Sequence, residues 1–242
     1  MAGHSKWSQI KRKKAVNDRQ RGKIISKHIR AIQSAVRAGG SGDASSNLPL
    51  KNALAAAKSD NVPVDNIDRA IERAVGGADG GNFDEVLYEG YGPAGVAMLV
   101  EALTDNKNRT VAEVRHAFSK HGGNLSGSTA WQFDTKGLIV IEEPGDGLEE
   151  LAIDLGADDL ESEDGVLSIY TEPTDLYEVV EAFQQRGVEP AMAQLTRVPQ
   201  TQTPISPDDQ RKVLNLMDTL EDLDDVQNVY STADLAYVEV VG

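Results

Sequence analysis

Between residues 137 and 198 the hydrophobic period switches back and forth between strand and helix values, and nothing narrows the fold of this chain more. Residues 137–142 form a short apolar run, and residues 148–155 suit a short helix. Residues 158–162 and 166–170 read as strands joined through Glu163-Asp164-Gly165, a hairpin signal. Residues 175–186 place Leu176, Val179, Val180 and Phe183 on one helical face, and residues 191–198 return to a strand. The order is βαββαβ, a ferredoxin-like split βαβ.

The flanking segments repeat part of this plan. A buried strand fits residues 95–103, a helix residues 109–121 with Val111, Val114 and Phe118 inward, and a strand residues 129–133. After a connector at 199–207 come a helix over 207–223, with Val213, Leu216, Met217 and Leu220 inward, and a strand over 226–230. Joined, these remnants nearly complete a second unit. The middle unit is therefore expected as an insertion, with a β-hairpin at 131–142 as one crossing point, turning at Asp134-Thr135-Lys136.

The first third of the chain is helical. Ile25, Ile29, Ile32 and Val36 form one apolar stripe over residues 22–38, ended by Gly39 and Gly40. GGSGDASSN is a connector. A second helix fits residues 50–59, with Leu50, Leu54 and Ala57 on one face. A third fits residues 64–75, entered through Pro63, with Ile67, Ala70, Ile71, Ala74 and Val75 inward. Helices this short must pack on one another. Residues 76–85, GGADGGNFDE, read as a linker. The expected class is α plus α/β (α+β): an N-terminal three-helix domain followed by two ferredoxin-like α/β domains, one inserted in the other. The expected divisions are a flexible basic arm at 1–21, a helical nucleic-acid-binding domain at 22–78, a discontinuous α/β domain at 79–135 plus 200–242, and the inserted domain at 136–199.

Charge is segregated along this order. Residues 1–37 hold eleven lysines and arginines and a single acid, Asp18, a charge of +10 within a chain of net charge −15. Phosphate binding needs a local cationic face, not a cationic average. The candidate nucleic-acid contacts are Lys6, Trp7, Lys11, Arg12, Lys13, Lys14, Arg19, Arg21, Lys23, Lys27, Arg30 and Arg37. Lys23, Lys27, Arg30 and Arg37 lie on the helix face opposite the apolar stripe. Trp7 beside Lys6 suits stacking on a base or ribose, or anchoring on the helical domain; both readings stand. The arm, up to about residue 20, is expected to order on a partner.

Other chemistry is sparse. The chain has no cysteine, which excludes disulfides and thiolate metal sites. No apolar run approaches the ~20 residues of a membrane span, and a cytoplasmic location is expected. Gly90-Tyr91-Gly92-Pro93-Ala94-Gly95 matches G-x-G-x-x-G, but a β-type run follows where a dinucleotide site needs a helix. His4, His28, His116 and His121 offer no metal spacing, and His28 reads as a packed helix-boundary residue. Eleven acids at 142–164 and five at 218–225 read as solvated faces, with a magnesium-dependent nuclease as the competing reading. Residues 104–110, TDNKNRT, end a strand and open a helix that Asn108 or Thr110 is placed to cap. Asn106, Lys107 and Arg109 there make a second contact point for a partner, or a capped turn. No catalytic residue, metal or cofactor is expected.

GHSKW at 3–7, DRQRGK at 18–23, DNI at 65–67, YEGYGP at 88–93, LTDNKNRT at 103–110, WQF at 131–133 and LEDLDDVQNVY at 220–230 together resemble the YebC family. Its eukaryotic relatives include a mitochondrial translational activator of cytochrome oxidase. The resemblance implies three domains, one helical and two α/β, in a cytoplasmic DNA-binding regulator of transcription. It also implies a link to translation, through ribosomes stalled on consecutive prolines. One family run resembles N-M-P-K-D-N-I-E-R; here Val62 and Val64 stand for the methionine and the lysine, which weakens or alters the chemistry expected of that loop. The expected partners are DNA or RNA, and the ribosome or another protein through the acidic domains, with no membrane. The expected activity is regulation of gene expression by phosphate contact. Its alternatives are an RNA-binding translation factor that relieves stalling and a metal-dependent structure-specific DNA nuclease.

Overall fold

A computed structural model describes residues 21–76, 83–163 and 165–235. Helix α1 (Arg21–Gly39) buries Ile32, Ala35 and Val36 on the face its period foretells. α2 (Leu48–Ser59) and α3 (Val64–Val75) pack against it, and Leu50, Ala57, Val62, Ile67, Ala70 and Ala74 complete one small core. Asn47 caps α2 by accepting from the Leu50 N–H at 3.1 Å. Its Nδ2 donates to the Ala35 and Ser41 carbonyls at 2.9 and 2.7 Å, tying α2 to α1. This close approach needs Gly39, where a Cβ would stand 2.3 Å from the Asn47 side chain. His28 Nε2 lies 2.6 Å from Asp60 Oδ2 and joins α1 to the end of α2.

Strand β1 (Asp84–Tyr91) falls partly in the expected linker. It pairs antiparallel with β2 (Ala97–Thr104) across a 3₁₀ turn at Pro93–Gly95. The glycine motif therefore closes a hairpin. At Gly90 a Cβ would meet the Asn124 carbonyl oxygen at 2.5 Å and the Phe118 ring at 3.0 Å, so the absent side chain admits a neighbouring loop. Helix α4 (Lys107–Lys120) follows β2. After the inserted segment, α7 (Pro207–Glu221) and β7 (Val226–Ser231) finish this unit. The sheet order is β1-β2-β7. Val114, Phe118, Val213, Leu216, Met217 and Leu220 of the two helices cover one face.

The segment between them builds a four-stranded antiparallel sheet of order β4-β5-β3-β6. Its members are β3 (Phe133–Glu142), α5 (Leu148–Asp154), β4 (Asp159–Glu163), β5 (Val166–Thr171), α6 (Leu176–Gln185) and β6 (Met192–Pro199). This is the ferredoxin-like order, with Leu148, Ala152, Leu176, Val179 and Phe183 packed on Ile139, Ile141, Leu167 and Ile169. Among the described residues the outer sheet has three strands and shares the plan of two helices on one face.

The expected hairpin at 131–142 is corrected. Residues 130–132 are a 3₁₀ turn, and β3 runs unbroken through Asp134, Thr135 and Lys136. Those three pair with Val198, Arg197 and Thr196 of β6, beyond the reach of β5, so polar side chains occur within a strand. The two sheets meet through Glu101, whose carboxylate accepts from Arg197 Nε at 3.2 Å, Tyr230 OH at 3.1 Å and Asn228 Nδ2 at 3.3 Å.

Candidate nucleic-acid interface

Seven of the twelve candidate contacts, Lys6, Trp7, Lys11, Arg12, Lys13, Lys14 and Arg19, lie outside the described residues. The other five lie on α1, where the apolar stripe faces the helical core and fixes the opposite orientation of the cations. Arg21 is exposed at the first turn, and Arg37 is half-buried in the last. Lys23, Lys27 and Arg30 are turned onto the body of the same molecule.

Their contacts share one target, the end of α7. Lys23 Nζ donates to the Asp222 carbonyl at 2.9 Å and Lys27 Nζ to the Glu221 carbonyl at 2.7 Å. Arg30 Nη1 donates to the Asp224 carbonyl and, at 3.1 Å, to Asp225 Oδ1. Its guanidinium also lies 5.9 Å from the centroid of the Phe83 ring.

The reason for this target is electrostatic. Carbonyls at a helix C-terminus lack intrahelical donors and carry the negative end of the macrodipole. A helix commonly offsets this with lysine or arginine in its own last turn. α7 has none there and instead carries acids at Asp218, Glu221 and Asp222. The complementary cations arrive from α1.

Asp225 is the centre of the junction and is 2% exposed. Its Oδ2 accepts from Arg109 Nη2 at 2.6 Å, Thr110 Oγ1 at 2.8 Å and Thr104 Oγ1 at 3.1 Å. Burial pushes the carboxyl up. The hydrogen bonds from Arg109, Thr110 and Thr104 outweigh that and hold it below the ordinary carboxylate value. The same contact, with a second from Asp105, pushes the Arg109 guanidinium further up. The β2–β7 register shifts between Glu101 and Ala102, which pair with Asn228 and Val226. This bulge accompanies a backbone bond from Leu103 N–H to the Asp225 carbonyl at 2.8 Å, leaving the carboxylate directed at the start of α4.

The segment TDNKNRT therefore serves the junction. Asn106, not Asn108 or Thr110, caps α4 by accepting from the Arg109 N–H at 3.1 Å. Thr110 is buried against Asp225. Lys107 pairs with Asp84 at 3.1 Å between two exposed side chains. Asp225 escaped the sequence reading because the five acids of residues 218–225 look like a solvated face. The available signal was two charged motifs, LTDNKNRT and LEDLDDVQNVY, of opposite sign.

Two further motifs also converge. Glu89 Oε2 of YEGYGP accepts from the Thr129 and Ala130 N–H groups at 2.5 and 2.8 Å, and these bonds hold its carboxyl below the usual range. The turn so fixed carries Trp131, which is 68% exposed, while Phe133 is buried. In the variant loop Val62 is 5% exposed and Val64 65% exposed, so one replacement is a core volume change and the other removes a surface charge. Among the described residues no three His, Asp or Glu side chains gather as a metal site.

Residues 5–77 match the TACO1/YebC protein N-terminal domain, and residues 83–233 match the TACO1/YebC second and third domain. A protein of Deinococcus radiodurans named "Probable transcriptional regulatory protein" is 54% identical over 238 residues, covering 97% of this chain and 98% of that one. One of the same name from Thermus thermophilus is 52% identical over 243 residues, covering 99% of each. A crystal structure of a conserved hypothetical protein from Aquifex aeolicus superposes with a TM-score of 0.84 at 43% identity, covering 92% of this chain and 93% of that one.

Proposed function

Because the chain belongs to the TACO1/YebC family, we propose that it is a nucleic-acid-binding regulator of gene expression, gripping phosphates through the segment up to Arg37. The observation that carries this reading is the segregation of charge: +10 over residues 1–37 in a chain of −15. A single cationic end on an acidic body confines polyanion contact to that end and disfavours wrapping around the rest. The relatives' printed names, transcriptional regulators, agree with such a partner. Asn106 caps α4 and Arg109 holds Asp225, while Lys107, exposed beside Asp84, is the residue of that segment left to a second phosphate contact in this reading. The proposed working location is the cytoplasm; no helix of the described residues is long and apolar enough to cross a membrane.

Phosphate contacts set affinity without specifying sequence. The test is therefore a salt titration of binding to a 20-base-pair DNA duplex and, in parallel, to an RNA hairpin. Replacing Lys11, Arg12, Lys13 and Lys14 together by alanine is expected to weaken binding to every sequence alike. The slope of log affinity against log salt should fall by about 3 to 4 on duplex DNA. Unchanged affinity and slope would remove the proposal. Preference for the RNA hairpin, with the same loss in the variant, would move the reading to a translation factor.

A further inference from the structure

Lys23, Lys27 and Arg30 are at once the basic face of α1 and the cap of the α7 C-terminus. They cannot face a phosphate while seated there, because each is turned onto carbonyls ringed by Glu221, Asp222, Asp224 and Asp225, whose like charge opposes a phosphate at the same place. We infer that the Glu221–Asp225 segment is an intramolecular competitor for nucleic acid, and that phosphates capture these three side chains only as the helical domain leaves the α/β body. This rests on the nucleic-acid reading above and adds its regulation.

Three observations carry it. First, the match of donor to acceptor is specific: three side chains spaced one helical turn apart meet the carbonyls of Glu221, Asp222 and Asp224. Second, the contact between α1 and the end of α7 is polar, while α2 lies beside β6. Among the described residues the apolar core of the helical domain is built from residues between Ile25 and Ala74, and no buried apolar cluster spans it and the α/β body. Polar interfaces inside one chain are the ones that open. Third, the acids around the acceptors place a polyanion-like surface against α1. Glu221, Asp222, Asp224 and Asp225 present the charge sign of a phosphate backbone, and Asp225 already neutralises Arg30 at 3.1 Å.

Release has a reporter inside the body. Asp225 is held by Arg30 on one oxygen and by Arg109, Thr110 and Thr104 on the other. When Lys23, Lys27 and Arg30 leave together, the end of α7 loses these three donors while β7 stays paired with β2. The amides to watch are those of Asp222, Leu223 and Val226, which donate to the Asp218, Leu220 and Leu223 carbonyls.

The experiment is hydrogen–deuterium exchange on the full chain, alone and saturated with the 20-base-pair duplex or the RNA hairpin. Exchange over residues 221–226 is expected to rise severalfold on binding, while β2 and β5 stay unchanged. Binding with unchanged or slowed exchange at 221–226 would overturn the competitor and leave the function standing. Failure of both probes to bind would remove both proposals. As a second arm, Asp225→Asn removes the ion pair of Arg30 and leaves its bond to the Asp224 carbonyl, loosening the hold on α1 without touching a proposed nucleic-acid contact, and its affinity for the probe is expected to rise at least threefold. A folded Asp225→Asn protein with unaltered or weaker affinity counts against the competitor, and the wild-type exchange result decides alone if the variant does not fold.

Discussion

At the scale of single residues, Asp225 is the position where stability and pH meet. It is a buried carboxylate with two arginines and two threonine hydroxyls around it. Removing one partner of a buried charge cluster strands the rest. Asp225→Ala is therefore expected to cost about 3 kcal/mol, read as a lowered urea midpoint. Because its folded-state pKa lies below the unfolded one, near 3.8, its contribution is complete above that value and is lost as pH falls through the folded value. Urea titrations between pH 7 and pH 3 should show a loss of stability below about pH 4 that is smaller in Asp225→Asn. None of this was legible from sequence. A carboxylate's role depends on what the fold brings to it, and Arg30, Thr104 and Arg109 arrive from distant parts of the chain.

At the scale of elements, the sequence spoke more clearly. The helices α1, α6 and α7 follow their apolar spacing nearly residue for residue, because a single buried face imposes its period; α3 does so except at Val75, expected inward but 63% exposed at the last residue of the helix. β1 was missed because DEVLYEGY mixes acids with glycine and offers little apolar alternation. The hairpin expected at Asp134-Thr135-Lys136 failed for a related reason: one end of β3 has a partner on one side only, so its polar residues mimic a turn. The basic face of α1 was foreseen as a face, but its occupant was not. The connection from α1 to α2 supplies a separate prediction. Asn47 is buried with its side chain spent on three backbone groups. Asn47→Ala loses the cap of α2 and the amide bonds to the Ala35 and Ser41 carbonyls, so a drop of about 2 to 3 kcal/mol is expected in thermal or urea unfolding. A change within about 0.5 kcal/mol would mean that water replaces the amide at no cost.

At the scale of the whole molecule, the helical core is separate while the charges are shared. Among the described residues the helical core draws on nothing outside residues 25–74. A fragment of residues 22–78 is therefore expected to unfold cooperatively when expressed alone, in a sigmoidal melt followed by circular dichroism. A broad, non-cooperative melt would show that the helices need the body to hold together. The outer sheet is different, because β7 pairs with β2 only after the whole inserted unit has been made. Contacts so distant in sequence form late.

That ordering gives the bulged start of β7 a role in time. During synthesis α1 folds first and remains uncovered, with its lysines open to any nearby polyanion, until Asp225 and the strand behind it emerge. One short segment then closes the outer sheet and seats the cationic helix, so closure of that sheet and covering of the basic face are a single event.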